Sequence, residues 1–386
     1  MKRIEVAIFM VALTLTACQP LKEFSRTPAF EAGNNFSYQL PDHDPLKKTV
    51  VVIANNDGTE LFDMMAPYYL FNNTGKANVY IIAKNKYPIV MKKGFFVLPQ
   101  LSFSEVDSLH IHPDVMVIPF LSVADSIHQD PVIINWIRTH YTANSKVLAV
   151  CDGAATAAAT GIFDGRPITA HASDLPGIKK YFSKPLWIQN TPVAYSGNLY
   201  STAGVSNAVE GSLMLIKELF GAGVMSNVAA NIKYPGNDLK TTHQSNSFHF
   251  GDKVTAGKKI IFKKNKDLAV QLQDGINEFD LAAVMDTYNR TFPKSIESFS
   301  ADDQPVKTKY GLQIIPSSKI KELHPREVHV IGNALLSPGK EKFPSAKLVT
   351  YTGMQQQYII DQCLQRIQSQ YGKKFAHVVK LMLDYN

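Results

Sequence analysis

Cysteine is scarce in this chain, with three residues in 386. Cys18, Cys151 and Cys363 lie far apart in sequence, so no disulfide framework of the kind that staples small secreted domains is implied. A phosphate-binding loop and a dinucleotide fingerprint are also missing, because Gly221-Ala-Gly223 follows a helical pattern rather than a strand. No cofactor is expected. Nor is a metal, for His110 and His112 have only Asp107 and Asp114 as companions and precede Pro113 in a loop. Lysine and arginine exceed the acidic residues, 40 to 33, giving a formal charge of +7. These cations are scattered singly or in pairs such as Lys258-Lys259 and Lys373-Lys374. That describes a solvated face, or weak attraction to an anionic surface, and no nucleic-acid partner is expected.

What is present begins at the N-terminus. Met1-Lys-Arg is a basic n-region, and Ile4 to Leu15 is mostly apolar, interrupted by Glu5. The run is too short for an ordinary membrane span and reads as a secretory leader. Leu15-Thr-Ala-Cys18 resembles a bacterial lipobox. The resemblance implies cleavage before Cys18, lipidation of its sulfur, and a lipoprotein held by that lipid on the extracytoplasmic side of the cell envelope. Gln19 in the next position favours the outer membrane if the cell is Gram-negative. Residues 1–17 are then the signal peptide and 18–46 a polar tether.

With 386 residues, length suggests two domains. From Lys48 to about Gly221, apolar strand candidates alternate with helical patterns, which predicts an α/β doubly wound parallel sheet over residues 47–230. Hairpins are expected at Tyr87–Pro99 and Val193–Ser201. A polar arm or linker follows at 231–258. Then the chain starts over. Asp57-Gly-Thr-Glu-Leu-Phe-Asp63-Met-Met-Ala66 is echoed 217 positions later by Asp274-Gly-Ile-Asn-Glu-Phe-Asp280-Leu-Ala-Ala283, with five of ten positions identical. The same offset carries Gly94 onto Gly311 and Pro99 onto Pro316, and Pro113–Ile118 is matched by Pro325–Ile331. Residues 259–386 thus read as a degenerate partial repeat. It lacks a cysteine elbow after Gly332, and a helix near Gln355–Tyr371 closes it. Cys363 lies within that amphipathic helix as a packing residue. The tyrosines and phenylalanines indicate a well-filled core.

The most informative stretch is Val147-Leu-Ala-Val-Cys-Asp-Gly-Ala-Ala-Thr-Ala-Ala-Ala-Thr-Gly161. A short apolar run ends at Cys151, Gly153 follows, and an Ala-rich helix starts at once. This is a strand–turn–helix with a thiol at the turn, the cysteine version of a nucleophile elbow. It lifts sulfur to the carboxyl edge of a sheet and aims the N-terminus of the next helix at it, which favours a thiolate. Gly153 points to a close approach to the backbone.

Four segments together resemble the ThiJ/PfpI family of the class I glutamine-amidotransferase-like superfamily. They are Asp57-Gly-x-Glu-x-x-Asp63-x-x-x-Pro67, Val150-Cys-Asp-Gly-Ala154, Gly161-x-x-Asp164-Gly-Arg-x-x-Thr169-x-His171, and Ser201-Thr-Ala-Gly204-Val-Ser206. The resemblance runs from about Val50 to Phe220. It is closest to the branch fused to AraC-type regulators, whose polar arm is similar to Ile232–Phe250, although the DNA-binding helices do not follow here. It implies a flavodoxin-like fold with Cys151 as nucleophile. It also implies an acidic partner, Asp63 by position or else Glu60, whose protonated carboxyl would depress the thiol pKa and act as acid or base. His171 is expected near the thiol, and the amides of Gly153 and Ala154 are expected to hold a developing anion. Asp152 stands where proteases of this family carry histidine. It either opposes thiolate formation or activates water, and no protease assignment is made. The expected function is cysteine-dependent hydrolysis or hydration of a small molecule. The alternative is a non-catalytic ligand-binding or thiol-oxidation-sensing lipoprotein. Because the family commonly dimerises, the repeat would serve as an internal pseudo-dimer partner.

Overall fold

The computed structural model describes every residue except 1–19, 27–29, 31–35, 37, 92–93, 122–126, 237, 240, 264–265, 333–337, 352–356 and 386. Cys18 and the leader therefore lie outside the described residues. The first described segment, α1 (residues 20–25), is helical.

In chain order, the first half comprises β1 (Lys48–Ile53), α2 (Leu61–Asn73), β2 (Ala77–Ala83), β3 (Ile89–Val90), β4 (Phe95–Val97), β5 (Leu101–Ser102) and α3 (Phe103–Ser108). Next come β6 (Val115–Ile118), α4 (Pro131–His140), β7 (Lys146–Ala149), α5 (Gly153–Thr160), β8 (Pro167–Ile168), α6 (Leu175–Tyr181) and β9 (Leu186–Trp187). The hairpin strands β10 (Val193–Ser196) and β11 (Leu199–Thr202) lead to α7 (Ala208–Phe220) and α8 (Ala222–Asn231). Seven strands form one sheet in the order β10-β11-β7-β6-β1-β2-β5, parallel except for the edge hairpin. Alternate residues of its strands enter two different cores. Val50, Val52, Val115 and Val117 face one, while Val51, Ile53, Met116 and Ile118 face the other. Burial on both faces is what makes these strands read as continuous apolar runs. The expected doubly wound α/β fold is what the chain adopts.

The second half comprises α9 (Phe250–Phe262), β12 (Asp267–Gln271), α10 (Glu278–Asn289), β13 (Ser295–Phe299), β14 (Val306–Lys307), β15 (Gln313–Pro316), β16 (Glu327–Ile331), α11 (Pro338–Lys342), β17 (Lys347–Tyr351), α12 (Ile359–Tyr371) and α13 (Lys373–Leu383). Its parallel sheet runs β13-β12-β16-β17, the order that β2-β1-β6-β7 follow in the first. A third sheet, β14-β15-β4-β3, joins the halves edge to edge. There Val97 lies opposite Ile314, its counterpart at the 217-residue offset. Phe62 likewise packs against its counterpart Phe279, ring centroids 5.3 Å apart.

Three expectations need correction. α9 crosses the boundary placed between residues 258 and 259, because its Ile260 is buried while most of its upstream turns are exposed. β17 lies in the stretch between Gly332 and Gln355, where no element was expected; at its place in the sheet it corresponds to β7, the strand that carries the elbow, but no cysteine stands at its end. The chain ends with α13 rather than with α12. Gly372 makes the break between them at φ 93°, ψ 160°, as Gly221 does between α7 and α8 at φ 91°, ψ 162°. A conformation that only glycine adopts easily sets both corners.

Candidate active site

Val150 extends the line of β7 and is buried, and its N–H donates to Ile118 O at 2.9 Å. At Cys151 the chain turns with φ 55°, a left-handed conformation uncommon outside glycine. α5 starts two residues later. A Cβ at Gly153 would sit 2.1 Å from Ile118 O and 2.7 Å from Pro119 O. What approaches Gly153 so closely is the neighbouring strand end of this chain, not a ligand.

The amides at the turn are disposed differently from expectation. Gly153 N–H donates to Val150 O at 2.8 Å, and Ala154 N–H to Cys151 O at 3.2 Å. Neither is directed at the sulfur. The amide that acts on the thiol is that of Asp152, because a turn this tight spends the next two on closing itself.

The acids come from the loop before α2. Glu60 caps that helix by accepting the Asp63 N–H at 2.9 Å. It also donates its own N–H to Phe120 O at 2.9 Å, while Asp63 accepts the Phe120 N–H at 3.3 Å. Asp63 is wholly buried, whereas Glu60 lines the cavity beside Cys151. The carboxyl that meets the cavity is therefore Glu60, and Asp63 lies beneath it.

Electrostatics follow from burial. Desolvation, then repulsion by Asp286, pushes the Glu60 carboxyl up to about 8, against the pull of Arg290 and of the Asp63 N–H. Burial and the charge of Glu60 raise Asp63 well above the usual carboxylate range. The Cys151 thiol is also raised well above its ordinary value, first by burial, then by Asp63, Asp152 and Glu60. The expected depression of the thiol is thus reversed, because burial, with three acidic groups behind it, outweighs one backbone amide. At neutral pH the resting site holds a neutral thiol and a protonated Glu60.

The second half supplies the groups that sequence reading missed. Asp286 and Arg290, one turn apart on α10 and just beyond it, form an ion pair. Arg290 reaches Glu60 at 3.7 Å and donates to Met382 O at 2.9 Å. Burial alone would lower Arg290, but Asp286 and then Glu60 hold it above its ordinary value. Asp286 acts on Glu60 as well, and after burial it is the largest cause of the raised Glu60 carboxyl. The 217-residue offset carries a signal for this pair. At that offset the first half has Tyr69 and Asn73, so an acid–arginine pair at i, i+4 stands where the first half has neutral residues on a buried helix.

A cavity of about 600 Å³ opens at Cys151, walled by Glu60, Asp152 and His171 from the first half and by Asp286, Asn289 and Arg290 from the second. His171 is therefore at the site, but its nitrogens face Ser173 Oγ at 2.8 Å, Asp174 at 3.4 Å and Met382 O at 3.4 Å. Among the described residues no cluster of histidine, cysteine and carboxylates could hold a metal ion. Cys363 is fully buried in α12, away from this cavity.

Against known proteins, the DJ-1/PfpI family matches at residues 47–218. That segment is a DJ-1/PfpI domain. Isonitrile hydratase of Pseudomonas putida is 22% identical over 172 residues, 45% of this chain and 72% of that protein. Protein dj-1beta of Drosophila melanogaster is 24% identical over 137 residues, 35% of this chain and 71% of the relative. The crystal structure of Drosophila DJ-1beta aligns with 48% of this chain and 97% of its own length at 22% identity, with a TM-score of 0.43. The elbow, Glu60 and Asp63 all lie within the DJ-1/PfpI domain. Asp286, Asn289 and Arg290 lie outside it.

Proposed function

We propose that the protein is a lipid-anchored, cysteine-dependent hydrolase or hydratase of a small electrophile. The observation that carries this reading is a thiol in a left-handed elbow and a protonated carboxyl, Glu60, walling the same cavity. The similarity to isonitrile hydratase supports the hydratase form of the chemistry.

The pair suits addition across a polar multiple bond. Sγ of Cys151 forms a bond to the electrophilic carbon, and Glu60 delivers its proton to the heteroatom. The thiol proton passes to the carboxylate left behind, so the net event is addition of S–H. Water then adds to that carbon, the C–S bond breaks, and the sulfur recovers a proton. Arg290 holds the charge that accumulates while the proton is in transit. Asp63 tunes Glu60 from below, and Asp152 presents its amide to the sulfur.

The second half stands in for a partner subunit in this proposal, making the chain an internal pseudo-dimer. Support comes from the self-equivalent pairs Val97/Ile314 and Phe62/Phe279, and from the α10 residues that complete the cavity. The lipobox-like Leu15–Cys18 supports anchoring at the envelope, and the arm Ile232–Phe250 supports kinship with the AraC-associated branch.

One observation favours the alternative of a non-catalytic ligand-binding lipoprotein: the raised thiol is neutral at rest, which also counts against rapid oxidation sensing. Turnover of isonitriles, activated esters and glyoxal-type aldehydes separates the readings. Catalysis predicts loss of turnover in Cys151→Ser and a fall of about 100-fold in kcat for Glu60→Gln. Ligand binding with no turnover by the parent protein would overturn it.

A further inference from the structure

α9 does not look like the surface helix of a protein bathed only in water. Phe250 is 82% exposed, Phe262 74%, Ile261 44% and Val254 36%. At 3.6 residues per turn, Phe250, Val254 and Ile261 fall within about 40° of one another. This stripe points away from Lys259 and Ile260, which are buried. Lys253 and Lys258 flank it on either side, and Lys263 follows the helix; all three are exposed. Scattered apolar residues on a surface need no explanation, but an apolar stripe along thirteen residues between lysines is the pattern of a helix lying in a bilayer interface.

Two contacts fix this stripe beside the Cys151 cavity. Lys259 Nζ donates to Thr291 O and, at 2.9 Å, to Phe292 O, pinning α9 to the loop after α10. Asp252, Lys253 and Ala256 line the cavity, with Lys253 at its rim. The first described helix lies here as well. Phe24 of α1 packs on Phe292 with ring centroids 4.8 Å apart, and Arg26 pairs with Glu297 at 2.7 Å. Phe24 and Phe292 both line the cavity. Docking of α1 so soon after Cys18 leaves little slack, so a lipid on Cys18 would hold this face against the membrane. The long tether expected over residues 18–46 is instead held at its start.

We propose that α1 and α9 form a bilayer-docking surface at the mouth of the Cys151 cavity, with an anionic phospholipid interface as its partner. The apolar stripe enters the acyl boundary while Lys253, Lys258 and Lys263 meet the headgroups. The cavity then opens at the interface, where Phe24, Phe248 and Phe292 present an apolar entrance, and its ligand is an amphiphile taken from the lipid side. The location rests on the anchoring proposed above, but the surface is testable without the anchor.

The described fold begins at residue 20, so a chain of residues 19–386 keeps every described contact and carries no leader. Its co-sedimentation should be compared on vesicles of phosphatidylcholine with phosphatidylglycerol and on phosphatidylcholine alone. The proposal expects binding to the anionic vesicles. Lys253→Gln with Lys258→Gln should weaken it roughly tenfold or more, as should Phe250→Ser with Ile261→Ser. Circular dichroism of both pairs confirms that α9 remains folded. A lipid-partitioning maleimide should label Cys151 faster when such vesicles are present. No binding to anionic vesicles, binding indifferent to both pairs of substitutions, or self-association through α9 in their absence would overturn the proposal. The mass of the N-terminal peptide from cell membranes reports the anchor separately. An acylated Cys18 with no vesicle binding sinks the surface alone, and vesicle binding without acylation sinks the anchor alone.

Discussion

Val97 lies opposite Ile314, the residue 217 positions further along the chain. Around this pair the arrangement is reciprocal: Phe96 is opposite Ile315, and Leu98 N–H donates to Gln313 O at 3.0 Å. Residues facing their own counterparts lie on a two-fold axis, as at the interface of a symmetric dimer. If the second half replaces a subunit, the edge that would recruit a partner is already occupied. The chain of residues 19–386 is expected to sediment as a monomer without lipid. A homodimer in sedimentation equilibrium would contradict the internal pseudo-dimer.

The first sheet and its elbow were legible in the sequence because their signals are local: apolar runs buried on both faces, and a Cys-x-Gly turn opening an Ala-rich helix. The self-pairing was half legible, since the offset of 217 was visible while the contact it implies was not. Asp286 and Arg290 escaped because their importance depends on α10 packing against α2, a long-range relationship. The sequence left Glu60 and Asp63 unresolved as to place: Asp63 is the acid acting most strongly on the sulfur, while Glu60 is the one that walls the cavity. Both belong to one helix start, and only the packing of Phe120 decides which faces inward. The sign of the thiol shift was lost for the same reason. Spacing shows the helix N-terminus but not how many carboxylates are buried with it.

Glu60 gives the fold a characteristic pH dependence. Its folded value of about 8 lies above the ordinary carboxylate value. The folded state therefore holds this proton more tightly, and the stability it contributes is fully present below about pH 4.5 and is lost as pH rises through 8. Glu60→Gln keeps a neutral side chain at all pH. Denaturant unfolding from pH 5 to 8 should show a shallower decline in the variant than in the parent protein. Parallel slopes would mean that Glu60 is already ionised in the folded chain.

Gly153→Ala tests the close approach at the elbow. The added methyl would meet Ile118 O at 2.1 Å and Pro119 O at 2.7 Å, both backbone atoms that cannot rotate aside. Loss of about 2–4 kcal/mol in unfolding free energy is expected. Turnover should fall as well, since Cys151 depends on that turn. A stability within about 0.5 kcal/mol of the parent would show that the strand end gives way easily.

The central claim is that Cys151 rests as a neutral thiol among buried carboxyl groups. Its most direct test is the pH dependence of alkylation at Cys151, read by peptide mapping, with buried Cys363 as internal control. The account predicts an apparent pKa above the free-thiol value of about 8.5, and a fall in that pKa on Asp63→Asn, because Asp63 is the charge acting most strongly on the sulfur. An apparent pKa below about 8.5, or a rise on Asp63→Asn, would mean that the acid donates to a standing thiolate, and would contradict it.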